Sequence, residues 1–417
     1  MNMPAPSGPL HGITRRESLL ALCGTALTLT GCGGGGDTVG AGGFAGVSSG
    51  GTGFSVGPIT GIGSIIVNGI RFDDSGAQVS DDDGGALSRS GLKLGMLARV
   101  RSTNVSGTTG TATSVEVGGE LQGRISGTPN NSARTFVVLG QTVKVTGSTI
   151  FDASLPSGFG SLAADTIVEV HGVVDPAGNT IQATFIERKT SPKEFKLQGL
   201  ISKLDTAKKQ FSIGSINVDY SGAQLDSKVT LTEKTLVRVR LNAVLPPTSA
   251  PATWTASRVR PPEDAQLEDR DEAEVKGIIN AFISTASFSV NGLPVNAAGA
   301  TFPKGTGGVA LGSLVEVKGR LSGGVLFATR VKPEDESEID ALEFELHGTV
   351  SGLTSTSFTV TSSGGIAVSV TFSTGTTFDN GTAAGLANGR RVEVRGAAAG
   401  SSTRSTSIAA TRIHFES

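Results

Sequence analysis

The residues that could do chemistry recur in one line. Glu169 stands in IVEVHG, Glu316 in LVEVKG and Glu393 in RVEVRG, and a carboxylate repeated in one setting is how a set of active-site acids and bases would look. Histidine offers less, because His11, His171, His347 and His414 are scattered without the close spacing of a zinc site. Asp81, Asp82 and Asp83, with Asp73 and Asp74 nearby, could attract calcium, but they lack the alternating carboxylates of an EF-hand and read as a polar loop. No serine has a usable histidine partner in sequence. The glycines from Gly33 to Gly36 lack the strand and helix that a phosphate loop requires. The expectation is therefore no catalytic residues, no metal and no cofactor.

Alternation explains the charged line without catalysis. In V-E-V the valines lie two apart and face one side of a strand, while the residue between them faces the other. Five versions of the line exist, and the middle residue is Arg99, Glu169, Arg238, Glu316 or Glu393. A chemical role common to all five would not survive reversal of charge in two of them. The reading is a solvated outer strand face.

The line belongs to a unit of about 70 residues repeated five times. Each copy opens on an apolar strand with a glycine: Gly61, Gly123, Gly199, Gly277 and Gly348. A short alternating strand follows, carrying Phe136, Phe211, Phe288 and Phe358 in phase with core valines, so these phenylalanines are assigned to the core. Asn68-Gly69 and Asn291-Gly292 predict type I′ hairpin turns. The unit closes on Ala-Thr-x-Val, as in Ala328 to Val331. With 59 glycines and 5% aromatic residues, little helix is expected. The predicted class is all-β: five tandem, small, five-stranded OB-like β-barrels. A β-sandwich of pooled repeats is the alternative.

The combined pattern of Gly-start, F-x-V-N-G, A-T-F, V-E-V-x-G and A-T-x-V resembles the bacterial domain family of unknown function 5666. The resemblance covers nearly all of residues 56 to 417 and implies tandem β-barrel modules in exported proteins, with no activity attached. Module boundaries are placed at 56–118, 119–190, 194–262, 274–333 and 344–417, with acidic linkers at 263–273 and 334–343.

Ahead of the modules stands an export signal over 1–31: Arg15 and Arg16, an apolar run from Leu19 to Leu29, then Leu29-Thr30-Gly31-Cys32. The run is too short to cross a bilayer as a helix. Its end resembles the lipobox of bacterial lipoproteins, which implies a diacylglyceryl group on Cys32 and a membrane anchor through that lipid. The twin-arginine resemblance departs at Ser18, so the Sec and twin-arginine routes both stay open. Gly33 after the cysteine implies the outer membrane. Residues 32–55 read as a flexible Gly/Ser-rich tether. Cys23 leaves with the leader, so no disulfide is expected.

Charge separates the modules. Arg188 to Arg260 holds 13 basic and 5 acidic residues, and Arg238, Arg240, Arg258 and Arg260 share an outward strand phase. They are candidates for contact with the acidic linkers or an anionic surface such as lipopolysaccharide. One Trp and one Tyr in a near-neutral chain argue against nucleic acid as a partner. The functional expectation is a lipid-anchored, non-catalytic interaction or scaffold array, with an envelope protein or polysaccharide as partner. The alternative is a ligand- or oligosaccharide-binding lipoprotein using OB-like faces.

Overall fold

The computed structural model describes residues 51–175, 178–245, 252–262, 269–334, 342–399 and 407–416. Arg15, Arg16, Leu29, Thr30, Gly31 and Cys32 lie outside them, as do 263–268 and 335–341 of the two acidic linkers.

Strands follow the expected alternation. Module 1 comprises β1 (Gly51–Ile62), β2 (Ile65–Val67), β3 (Ile70–Asp73), β4 (Gln78–Asp81), β5 (Leu97–Ser106) and β6 (Thr109–Val117). Module 2 has β7 (Leu121–Asn130), β8 (Thr135–Val138), β9 (Gln141–Phe151), β10 (Ile167–Asp175) and β11 (Thr180–Arg188). In module 3 these become β12 (Glu194–Asp205), β13 (Gln210–Ile213), β14 (Ile216–Asp219), β15 (Gln224–Leu225), β16 (Leu236–Asn242) and β17 (Thr253–Arg260). Module 4 holds β18 (Arg270–Ser284), β19 (Ser287–Val290), β20 (Leu293–Asn296), β21 (Leu314–Ser322) and β22 (Val325–Pro333). Module 5 ends the chain with β23 (Phe344–Ser351), β24 (Ser357–Thr361), β25 (Ala367–Thr371), β26 (Thr377–Asp379), β27 (Arg391–Ala398) and β28 (Ser407–Phe415).

Strand pairing runs in a closed circuit within each module. In module 1, β1 pairs antiparallel with β2, β2 with β3, β3 parallel with β6, β6 antiparallel with β5, and β5 antiparallel with β1. Module 2 repeats that order from β7 to β11. Modules 3, 4 and 5 do the same. Closure leaves no long unpaired edge within a module. Asn68 and Gly69, and Asn291 and Gly292, all have positive φ, as type I′ turns require.

The recurring glycine after V-E-V-x has a steric cause. A Cβ on Gly172, Gly319 or Gly396 would lie 2.1–2.2 Å from the carbonyl oxygen of Gln182, Phe327 or Ala409 on the closing strand. Each sits where the ladder slips register, so the bulged strand presses on the spot a side chain would fill.

Between modules, the tandem units expected from the sequence are not independent of one another. Modules 1, 4 and 5 join in one network of 17 strands, and modules 2 and 3 in another of 11. The N-terminal half of β1 pairs parallel with β18, and Phe54 and Val56 enter the core of module 4. The C-terminal end of β1 pairs with β23, and the cores of modules 1 and 5 merge. The described residues from Gly51 onward belong to one compact unit. Two boundaries move as a result. The tether predicted to run to residue 55 is strand from Gly51, and the acidic linker predicted to run to 273 is strand from Arg270. Both segments gain backbone partners in a neighbouring module, which outweighs their glycine content and like charge.

Candidate functional site: a charged seam between modules 1, 2 and 3

Alternation places Val237 and Val239 in the core and turns Arg238 and Arg240 to the outer face of β16. The phase is as expected; the solvent is not there. Arg238 and Arg240 are each 4% exposed, because the loop after β4 lies over them. Asp82 Oδ2 in that loop accepts from Nη2 of Arg238 and of Arg240, both at 2.9 Å. Arg240 also donates to Asp83 Oδ1 at 2.7 Å, and Arg260 donates to the Asp82 carbonyl at 3.0 Å. Arg258 stands 4.0 Å from Asp83. The four arginines expected to contact the acidic linkers or an anionic surface thus converge on Asp82 and Asp83 of module 1. The polar loop expected at 81–83 is the counter-charge.

Module 2 supplies the third wall. Glu169 and His171 lie on the outer face of β10, two residues apart, with Glu187 opposite Glu169 on β11. Lys196, on the outer face of β12, donates to Asp82 at 2.8 Å and to Glu169 at 2.5 Å. Lys189 bridges Glu169 at 2.7 Å and Glu187 at 2.6 Å. Arg99 of module 1 donates to Glu120 at 3.1 Å, and Lys93 bonds Asp152. Among the middle residues of the repeated line, Arg99, Glu169 and Arg238 are therefore buried, whereas Glu316 and Glu393 stay partly exposed.

These charges are set by their neighbours. Burial alone would raise the Asp82 carboxyl, but Arg238, Lys196 and Arg240 outweigh it and hold it well below the usual carboxylate range. At Glu169 burial is likewise outweighed by Lys196 and Lys189, and the pKa falls to about 2. Burial dominates at His171 and lowers its pKa to about 4, which leaves the ring neutral near pH 7.

Two groups of possible metal donors form that sequence spacing did not reveal: Glu169, His171 and Glu187, and Glu345, His347 and Glu393. Their chemistry suits ion pairs. The backbone N–H of Leu97 donates to His171 Nδ1 at 3.3 Å, so the neutral ring carries its proton on Nε2 and has no lone pair left for a metal. His347 is engaged at Nδ1 by Glu416 at 2.6 Å and at Nε2 by Glu345 at 2.8 Å. Burial opposes protonation of His347, but those two carboxylates outweigh it and raise its pKa. Arg71 and Arg395 also contact Glu345, which ties module 1 to module 5.

Three segments, 122–187, 276–332 and 347–414, match the profile of a domain of unknown function, DUF5666. The three matches are consistent with tandem repeats of this domain. The matched DUF5666 segments fall in modules 2, 4 and 5, the three whose line reads V-E-V-x-G. Modules 1 and 3 have the same pairing circuit, but their lines are Arg99-Val100-Arg101-Ser102 and Arg238-Val239-Arg240-Leu241. No curated protein matches the chain. A solved structure titled drosophila Unr CSD456 aligns at 12% identity over 55% of this chain and 99% of that one, with a TM-score of 0.13. A likeness that small carries no argument.

Proposed function

We propose that the chain is an exported, lipid-anchored envelope protein whose five OB-like barrels act as a non-catalytic scaffold. One observation carries this: the outer charged faces of modules 1, 2 and 3 are consumed in holding the modules to one another. That arrangement suits a rigid body better than a string of independent binding units. The carboxylates of the seam support the same reading, since a general acid or base works best with a pKa near the ambient pH and Glu169 lies near 2. Exposed aromatic side chains among the described residues are Phe282 and Phe327, both in module 4. Stacking platforms repeated over several modules, which an oligosaccharide array would use, are not what this surface offers.

The anchor part of the proposal rests on Leu29-Thr30-Gly31-Cys32, and the OB-like part on the recurrent circuit in which the third strand pairs parallel with the last. Among the described residues no helix is long and apolar enough to cross a membrane. Labelled palmitate is expected to enter the chain and to be lost in Cys32→Ser. Small-angle scattering of the unit from 46 to 417 is expected to give a radius of gyration of about 21 Å, the value for one compact body. Equal labelling of Cys32→Ser, or a much larger radius from beads that swing apart, would defeat the proposal.

A further inference from the structure

One end of module 4 is apolar and uncovered. Between Lys276 and Lys304 the chain holds no charged residue, and that stretch forms the second half of β18, then β19 and β20. Where β18 meets β19 the register slips. Phe282 faces Phe288 and Ser284 faces Ser287, so Ile283 is the extra residue of a bulge, and it stands 84% exposed beside the exposed Phe282. Ser287 pairs with Asn296 and Asn296 with Phe327, which puts Phe327, also exposed, on the same outer row, about 14 Å from Ser284 across three strand spacings. The other modules differ. Counted from the glycine of the first strand, the positions of Phe282 and Ile283 hold Thr128 and Pro129 in module 2, Leu204 and Asp205 in module 3, and Leu353 and Thr354 in module 5.

We propose that this end of module 4 docks on a phospholipid bilayer, with Phe282, Ile283 and Phe327 leaving water for the lipid. The path of the chain favours a bilayer over a protein as the occupant. The segment that follows Cys32 enters the fold against module 4: β1 starts at Gly51, and Gly53 pairs with Glu272 of β18. Gly51 follows Cys32 by 19 positions, which span about 65 Å at full extension, whereas about 36 Å of strand separates Glu272 from Ile283. A lipid on Cys32 can therefore share one membrane plane with the apolar end, and at that local concentration a few apolar side chains suffice to orient the body. Charge agrees. The Arg320 guanidinium lies 5.5 Å from the centroid of the Phe327 ring and sets a cation beside the apolar row, which suits the phosphates of acidic lipids. A protein surface would need a socket shaped for the protruding Ile283, while a fluid acyl layer closes round it. This deepens the scaffold reading by fixing which end of the body meets the membrane, and it rests on the anchored part of that reading.

The test uses the full chain in vesicles of phosphatidylethanolamine and phosphatidylglycerol, with and without bromine on the acyl chains as a quencher of tryptophan. The one tryptophan of the parent chain, Trp254 in module 3, sets the baseline. The emission added by Ile283→Trp is expected to fall at least twofold when brominated lipid replaces plain lipid, and that added by Leu225→Trp, an exposed apolar position on module 3, to change by less than a tenth. Equal loss from both variants, or none from Ile283→Trp, overturns the proposal. Shielding of Ile283→Trp from iodide before any vesicle is added assigns the apolar end to a second copy, and overturns it too. A Cys32→Ser chain at high lipid excess examines the end without its anchor: the added changes Phe282→Ser and Ile283→Ser are expected to lower the fraction that floats with the vesicles at least fivefold, and equal flotation overturns the proposal. That comparison decides even where palmitate is absent from the parent chain, an outcome that defeats the anchored reading alone.

Discussion

Asp82 and Arg240 lie 158 positions apart and meet at 2.9 Å, in a seam where each is 4% exposed. Around that contact, three modules bring their outer faces together. The energetic consequence is asymmetric. A buried ion pair adds little over well-packed apolar groups, but removal of one partner strands the other charge.

Asp82→Ala is therefore expected to cost about 3–5 kcal/mol, since it leaves Arg238, Arg240 and Lys196 without their common acceptor. The triple change Asp82→Ala, Arg238→Met, Arg240→Leu is expected to recover most of that loss. Urea unfolding of both variants checks the pair of outcomes, and equal destabilisation by the two would contradict the assignment.

Acid should loosen the seam. Asp82 and Glu169 have folded pKa values below their ordinary 3.8 and 4.5, so their stabilising contribution is present above those values and is lost as pH falls, for Glu169 through about 2. His171 acts in the same direction at higher pH: its folded pKa of about 4 lies below 6.5, so stability declines between those limits as the unfolded ring takes up its proton first. Thermal melts are expected to fall from pH 7 towards pH 2. A His171→Gln variant is expected to flatten the upper part of that curve.

Glu274 should respond in the opposite sense. Burial, reinforced by Glu316, outweighs Lys318 at 3.0 Å and pushes its pKa up to about 8. A folded pKa above the ordinary 4.5 means a contribution fully present below 4.5 and lost as pH rises through about 8. Glu274→Gln is expected to gain stability relative to the parent chain as pH goes from 6 to 9. Identical pH profiles for the two proteins would show that Lys318 keeps the carboxylate charged.

The glycines of the charged line separate from ordinary surface glycines. Gly396→Ala places a Cβ 2.1 Å from the Ala409 carbonyl oxygen and is expected to destabilise by about 1–3 kcal/mol or more. Gly222→Ala, with open space around the added atom, is expected to change stability by no more than about 0.5 kcal/mol. Denaturant midpoints of the two variants check the contrast.

The amino-acid sequence by itself determined the modules. Period-two alternation set which residues of V-E-V face the core, Asn-Gly set two hairpins, and internal repetition set five units, because these are local rules that read a few neighbouring residues at a time. Phe136, Phe211, Phe288 and Phe358 are buried as their phase required. What lies opposite each outer face was decided only in three dimensions. Arg238 and Glu169 have the same strand phase as the partly exposed Glu316 and Glu393, and nothing within their own strands marks them as covered. One trace of the seam was legible, in the reversal of sign between the V-E-V lines and the arginine lines of modules 1 and 3. Its meaning required the loop of Asp82, more than 150 residues away, because complementarity between faces depends on how the β modules dock and not on how any one of them is written.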